Sequence, residues 1–527
     1  MNMRTDRKTR NIMLFLLICG GIFVFYLPSF FMPPRSDYWS LFYFFHHLDA
    51  IGGSFPPWMH VMNWDPFEQV RFRPLAHLIP YVIFLLSGPE HILAYVFNTA
   101  AYCGVLYAMY RLACELWGPR RLALALLFVF AMLFSHFDML LWPLHSYIFV
   151  GFCSMIAGFV FYIRFLKGGG AHLIVWTAAS FVTGMLCYET VAVWPFAILI
   201  LDKVRVFGND AARPRPGRGC AKNAAGVLGA VYAVCAAVFI LTRMIGTYDR
   251  PQIDLSSLVS IPKIAYSFFS VYFSAVYNAV LAVAPFIASP GRIEDEVYEM
   301  AGLIVSAGAH IRYYVYAGGA LVAASCAMLI RALVRRHDRD ALYLFLFFLF
   351  LWFSDRFILF HCRNLTNPMV FNFQQFRYQF AANAIGYFFV LYAVYTVFRN
   401  ARYKTGLISG AAAVIFVLNI GPVLTGVRFV NSQMRPLQRM IGDIKEGLKD
   451  GRIDPENRLY IPPGIVDHLP PLSWNFRMGS MFMDRTYEWM FTKKQLRSFT
   501  FAPDDAQWTV RASDGAVVPV RSDVSLP

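Results

Sequence analysis

"IMLFLLICGGIFVFYLPSFFM", residues 12 to 32, is preceded by the basic leader "MNMRTDRKTR" and followed by "PPRSDYW". A run of this length matches the roughly 20 apolar residues that cross a hydrocarbon core. A cleaved signal peptide has a shorter apolar core and small residues at its cleavage site. The run is therefore expected to be a retained signal-anchor with its N-terminus in the cytoplasm. The residues just beyond it pose the functional question. An acid, Asp37, stands five residues past the run, and "YWSLFYFFHHLDA" then adds aromatics, two histidines and a second acid, Asp49.

Comparable runs recur along most of the chain. Of 527 residues 58% are hydrophobic and only 15% charged, where a soluble surface needs roughly 25% Asp, Glu, Lys and Arg. The fold class expected is an all-α polytopic membrane protein. The net charge of +15 raises the question of a nucleic-acid partner, but its placement points to topology. The densest basic segment is "DKVRVFGNDAARPRPGRGCAK" (202–222), and "GPRR" (118–121), "RFLKGG" (164–169), "RALVRRHDRD" (331–340) and "RNARYK" (399–404) share the habit of separating apolar runs. The positive-inside rule puts all of them in the cytoplasm.

That constraint predicts spans near 12–32, 91–116, 121–136, 146–165, 172–188, 190–204, 224–243, 311–332, 340–357, 381–399 and 405–427. It gives about eleven crossings, with an upper bound of about 13, and an extracytoplasmic C-terminus. Segments 74–87 and 263–286 are left over and are expected to lie in, or dip into, the outer leaflet. Residues 1–427 form the membrane domain, with a first outer loop at 33–90. Residues 428–527 have ordinary polar composition, helical spacing in "RPLQRMIGDIKEGLKD", and short runs such as "RLYIPPG" and "WTVRASDGAVVPV" that read as strands and turns. A small α+β extracytoplasmic domain is expected there. The location expected for the whole is the inner (plasma) membrane of a bacterium.

Nine cysteines give no disulfide framework: seven fall in apolar runs, Cys220 in a basic loop, and Cys362 on the outer side. No metal-ligand spacing, GxGxxG, Walker A motif or long repeat is present. No cofactor is expected and a divalent ion is not indicated. A nucleotide-fed enzyme is disfavoured.

Ionisable residues collect in the segments expected outside. The first loop carries Asp37, His46, His47, Asp49, His60, Asp65, Glu68, Arg71 and Arg73. "SHFDMLLWPLHS" (135–146) carries His136, Asp138 and His145. "SDRFILFHCRNLTNPMVFNFQQFRYQF" (354–380) carries Asp355, Arg356, His361, Arg363 and Arg377. Such groups at membrane depth are expensive and usually functional.

This layout resembles the GT-C superfamily of integral membrane glycosyltransferases, which includes protein O-mannosyltransferases and aminoarabinose transferases. The resemblance rests on Asp37 after the first span, "FRPL" (72–75) opening an apolar helix, and Asn98 in "HILAYVFNTAAYCGVLYAMYRLACELWG". It rests also on the acid before the tryptophan in "HFDMLLWPLHSYIFVGF", on Glu189 in "CYETVAVWPFAIL", and on the "RY" that opens "FRYQFAANAIGYFF". It covers roughly residues 12–427. There are three departures: Asp37 is followed by Tyr38 where many relatives have a second acid, Tyr188 stands where relatives often carry lysine, and the tetratricopeptide array that follows the membrane domain in one branch of the family is not seen.

The resemblance implies a transferase of inverting type that moves a sugar from a polyprenyl-phosphate-linked donor to a glycan, lipid or protein acceptor outside the cytoplasm. Its partners are that donor, the acceptor and membrane lipids, with no nucleic acid. Asp37 is the candidate general base, although Ser36-Asp37 before "YWSLFYFF" also fits a helix N-cap. Arg377, with Tyr378 beside it, is the first candidate for the lipid phosphate, with Arg73 and Arg243 next; headgroup snorkelling is the alternative for Arg243. Asp138 orients the acceptor, pairs with an arginine, or caps its loop. Asp49 and His136 complete the candidate site, and Glu189 is read as holding two helices together. A transporter or flippase for a lipid-linked saccharide, or a non-catalytic subunit with the same fold, is the alternative class.

Overall fold

The computed structural model describes residues 3–33, 56–63, 73–87, 91–117, 120–131, 136–204, 219–245, 338–363, 403–454, 457–460, 499–500, 506–511 and 514–520, with isolated positions at 38, 41, 45 and between 327 and 395. The described residues are mostly helical. Four helices among them are long and apolar enough to cross a membrane: Ile12–Phe31, Ile92–Leu116, Pro143–Leu166 and Lys222–Thr242. They coincide with four of the expected spans. The segment 263–286 and the span expected at 311–332 lie outside, or almost wholly outside, the described residues.

Helix α1 (Met3–Tyr26) continues into a 3-10 turn, Leu27–Phe31, started by Pro28. Short α2 (Pro57–Asn63) and α3 (Pro74–Ser87) come next, then α4 (Ile92–Trp117) and α5 (Arg120–Ala131). A one-turn helix α6 (Phe137–Leu140) and a 3-10 turn (Pro143–His145) lead into α7 (Ser146–Leu166). Burial separates centre from rim. Of the most apolar window in each span, 61% is buried for Pro143–Leu166 but only 17% for Ile12–Phe31 and 22% for Lys222–Thr242. The rim helices present large apolar side chains outward, Leu17 at 70% and Val24 at 72% exposure. Such a surface belongs against lipid, since water would be in contact with a continuous apolar stripe.

α7 packs closely on α8 (His172–Cys187) because small residues sit where the helices meet. A methyl group at Gly158 would lie 2.5 Å from the Phe181 ring, and one at Gly151 would lie 2.8 Å from Cβ of Cys187. α8 then stops. Tyr188 is extended (φ −147, ψ 108), 3-10 turns occupy Glu189–Val191 and Trp194–Ala197, and α9 (Ile198–Leu201) completes the segment. Pro195 withholds one backbone donor from this stretch. Tyr232 of α10 (Gly219–Ile245) donates its hydroxyl to the Ala192 carbonyl at 2.5 Å, which satisfies an acceptor that the break exposes. The Tyr162 hydroxyl meets Asp202 at 2.5 Å, so the chain returns to the end of α7 from which it left. The two legs are antiparallel, and 16-residue α8 is about 24 Å long. Their turn, at Tyr188 and Glu189, lies level with Gly151, about a turn and a half inside α7. At the opposite end of α7, Glu115 of α4 holds Arg164 at 2.8 Å and Lys167 at 2.9 Å.

α11 (Arg339–Arg363) runs straight through "SDRFILFHCR", a stretch expected to leave the helix. No glycine or proline interrupts these 25 residues, and charged side chains alone do not end a helix. Asp355 is consequently buried, with 1% exposed.

α12 (Lys404–Lys449) is one helix of 46 residues that passes residue 427 without a break. Its second half carries Met434, Leu437, Met440, Ile441 and Ile444, which with Leu459 and Val510 form a core of their own. The strands are β1 (Leu459–Tyr460), β2 (Phe499–Thr500), β3 (Trp508–Val510) and β4 (Val517–Pro519), in the order β2-β1-β3-β4. β1 is parallel to both neighbours; β3 and β4 form a hairpin whose turn rests on α12. Gly515 in that turn has φ +75, and a Cβ there would collide with the Pro436 carbonyl, so only glycine fits. Asp443 of α12 accepts the Val517 amide at 3.0 Å. The Gln438 amide donates to the Phe31 carbonyl at 3.0 Å. The sheet therefore sits at the end of the bundle where α1 finishes.

Candidate functional site

At that same end, α4 fastens the 136–145 connection with three side chains spaced to share one face. Tyr95 donates to the Leu141 carbonyl at 3.4 Å. The Asn98 amide donates to Met139 and Leu140 at 3.0 and 3.2 Å. The Tyr102 hydroxyl reaches the Phe130 carbonyl at 2.8 Å and His136 Nδ1 at 3.0 Å. Residues 95, 98 and 102 obey the i, i+3, i+7 rule of a helix face. When the Tyr102 proton goes to the Phe130 carbonyl, its oxygen is left to accept from Nδ1–H of His136, so this pairing favours that tautomer.

His136 is buried (1% exposed) among aromatic rings, with centroids 4.3 Å from Phe130 and 4.9 Å from Phe380. It secures the start of the connection rather than presenting a ring to the surface. Asp138 lies on α6 between His136 and the two carbonyls that Asn98 holds, so its backbone is positioned from both sides. The structure does not describe its side chain, nor that of Arg243 in the last turn of α10.

Arg73 immediately precedes Pro74, whose missing amide is no loss at the first helical position. Its Nη1 donates to the Tyr147 hydroxyl at 3.2 Å, and its guanidinium carbon lies 5.6 Å from the centre of that ring. The "RPL" start and the first turn of α7 are thus joined. The first expected outer loop enters the same corner. Tyr38, Leu41 and Phe45 are buried helical positions spaced by three and four, with Phe45 5.2 Å from Tyr81 and 5.5 Å from Phe84. Tyr38, Leu41 and Phe45 line a narrow apolar cleft with Pro80 and Ile83 of α3, and with Pro143. The cleft begins about 10 Å along α3 from Arg73. Phe380, three residues along the chain from Arg377, packs on His136, Phe149 and Phe152. Asp37, Asp49, Arg377 and Tyr378 themselves lie outside the described residues.

No family model, curated protein or solved structure matches this chain.

Chemically, a guanidinium at this corner suits an anionic head group, while the cleft itself has room for about one water molecule. Among the described residues, no group of three or more His, Cys, Asp or Glu is arranged to hold a metal ion. The sequence pattern singles out neither Tyr102 nor Tyr147, and it does not foretell the burial of Asp355. Tyr102 carried a signal, since it shares a helical stripe with Asn98 and Tyr95 on the largely apolar first half of α4.

Asn98→Leu keeps the branched shape but removes the side-chain donor shared by the Met139 and Leu140 carbonyls, leaving Met139 only its longer bond from the Trp142 amide. It is expected to destabilise the protein by about 1–3 kcal/mol. Thermal unfolding of the variant in nanodiscs reads this directly, and Asn98→Asp, which offers no donor when ionised, should not restore stability. A melting temperature unchanged by Asn98→Leu would mean that the two bonds do not hold the connection.

Proposed function

We propose that this protein is an integral membrane glycosyltransferase that moves a sugar from a polyprenyl-phosphate-linked donor to an acceptor on the extracytoplasmic face. One observation supports the reading above the others. Segments far apart in sequence, containing or adjoining Arg73, Asp138, Asp37 and Arg377, converge on one end of the bundle beside an apolar cleft. In this reading Asp37 is the general base. Arg377 and Arg73 neutralise the lipid phosphate, with Arg243 as a further candidate. Asp138 orients the acceptor, Asp49 and Tyr378 are further substrate-binding candidates, and His136 supports the 136–145 connection from inside.

The same proposal includes about eleven crossings, a cytoplasmic N-terminus, an extracytoplasmic C-terminus and residence in a bacterial inner membrane. The contact of Gln438 with Phe31 supports a common side for the end of α1 and the C-terminal sheet. A cysteine introduced within 206–219 should be labelled only from the cytoplasm, and one within 500–520 only from outside. Labelling of both from one face would overturn this topology.

The activity itself is tested by mass analysis of polyprenyl-phosphate sugars and surface glycans in cells with and without the protein. Accumulation of one lipid-linked sugar, with loss of the matching sugar from a surface acceptor, is the expected result. Unchanged pools of both would sink the proposal.

A further inference from the structure

Away from this corner, α1 and α4 carry two cysteines in register. The helices run antiparallel, with Phe15 5.5 Å from Tyr107 and Phe30 stacked 5.9 Å from Tyr95. Cys19 and Cys103 each lie four residues, one turn, inward from the Phe15–Tyr107 contact, so the register sets them opposite one another. Their thiols lie near enough to interact with one another. The third cysteine nearby is engaged elsewhere: Sγ of Cys153 lies 3.6 Å from where a Cβ on Gly104 would stand, against the face of α4 that meets α7.

The pair lies deep in an apolar helix yet close to its outer surface. Cys19 is seven residues from Ile12 and twelve from Phe31, about 10 and 18 Å along the axis. Around it Leu16 and Leu17 are 60% and 70% exposed, and an added Cβ at Gly20 or Gly21 would meet nothing within 4 Å. A membrane-dissolved reagent therefore has a path to the seam that an ionic oxidant in water lacks.

We propose that Cys19 and Cys103 form a reversible dithiol–disulfide couple whose oxidant is a lipid-soluble quinone. Two S–H bonds break and one S–S bond forms. The two electrons and two protons pass to the quinone, which leaves as the quinol; a dithiol reductant reverses the step. Closure joins the first span covalently to α4, the helix that holds the 136–145 connection, and encloses the whole segment bearing Asp37. The site is independent of the transferase reading and stands or falls separately from it.

The test uses full-length protein in lipid nanodiscs with decylubiquinone as oxidant. Free thiols are then alkylated under denaturing conditions, disulfides are reduced, and the released thiols are tagged with an isotopically distinct maleimide. The expected result is joint loss of first-stage alkylation at Cys19 and Cys103, one quinol formed per pair, and a linked peptide containing both residues. Cys153 and Cys235 should remain alkylated. In Cys19→Ala, Cys103 should become fully alkylatable. Persistent alkylation of the wild-type pair under quinone, coupling of Cys103 to Cys153, or equal protection of Cys103 in Cys19→Ala would overturn the proposal. Should Cys19→Ala fail to assemble, the presence or absence of the linked wild-type peptide decides the matter.

Discussion

Gly151→Val should abolish recovery of folded protein, while Gly229→Val should be nearly silent. The contrast comes from what each new side chain meets. At Gly151 the nearest atoms to an added Cβ are Cys187 Cβ at 2.8 Å, the Gly184 carbonyl oxygen at 3.3 Å and Tyr188 Cβ at 3.3 Å. None is the free end of a flexible side chain, so relief requires α7 and α8 to separate, and with them the turn at Tyr188. The penalty is expected at about 3 kcal/mol or more. At Gly229 an added Cβ meets nothing within 4 Å. Monodisperse yield and melting temperature after extraction compare the two. Equal behaviour of the variants would contradict the close approach of α7 and α8. An intermediate case is Gly184→Ala, whose added Cβ meets the flexible Met155 side chain at 2.6 Å (Cγ) and the Gly151 carbonyl oxygen at 3.0 Å.

The second large effect concerns turnover. If Asp37 is the base, Asp37→Asn should lower sugar transfer by about 10²–10⁴-fold, because size and polarity persist while proton acceptance is lost. Binding of the polyprenyl-phosphate sugar should change little. Arg377→Ala should instead weaken binding and transfer together, since the phosphate is charged before and after the reaction, and Arg377→Lys should rescue only in part. Binding and transfer measured for the three variants in nanodiscs separate these roles. Full activity in Asp37→Asn would return that residue to helix capping and make Asp49 or Asp138 the base to examine.

Much of the helical framework is legible because local signals agree with burial. Pro74 after Arg73 marks the start of α3, and the long apolar run at 146–165 coincides with the most buried span. The polar, aromatic "CYET" stretch coincides with the break after Cys187. Other features escape because hydropathy and helicity are separate properties. Past residue 427 the residues turn polar but remain good helix formers, and α12 continues. "SDRF" looks like a loop by charge, yet nothing in it ends a helix, and Asp355 stays inside. His136 reads as a substrate-binding candidate because it falls in an expected outer loop with acidic and aromatic neighbours. Its burial depends on Tyr102 and Phe380, distant in sequence, which no local pattern connects to it. The approach of the first loop to Pro143 is likewise a tertiary fact.

α12 also fixes a relation between height and heading. Its 46 residues extend about 69 Å, more than twice a hydrocarbon core of about 30 Å, so its apolar and sheet-bearing halves belong to one continuous shaft. On an α-helix each residue advances about 1.5 Å and turns about 100°. One residue added between the halves would swing the β-sheet by more than a quarter turn and carry Gln438 away from Phe31. Three or four added residues would nearly restore the heading and raise the sheet by about 5 Å. The length of this segment is therefore quantised in whole turns, and the shaft keeps the sheet in phase with the mouth of the bundle.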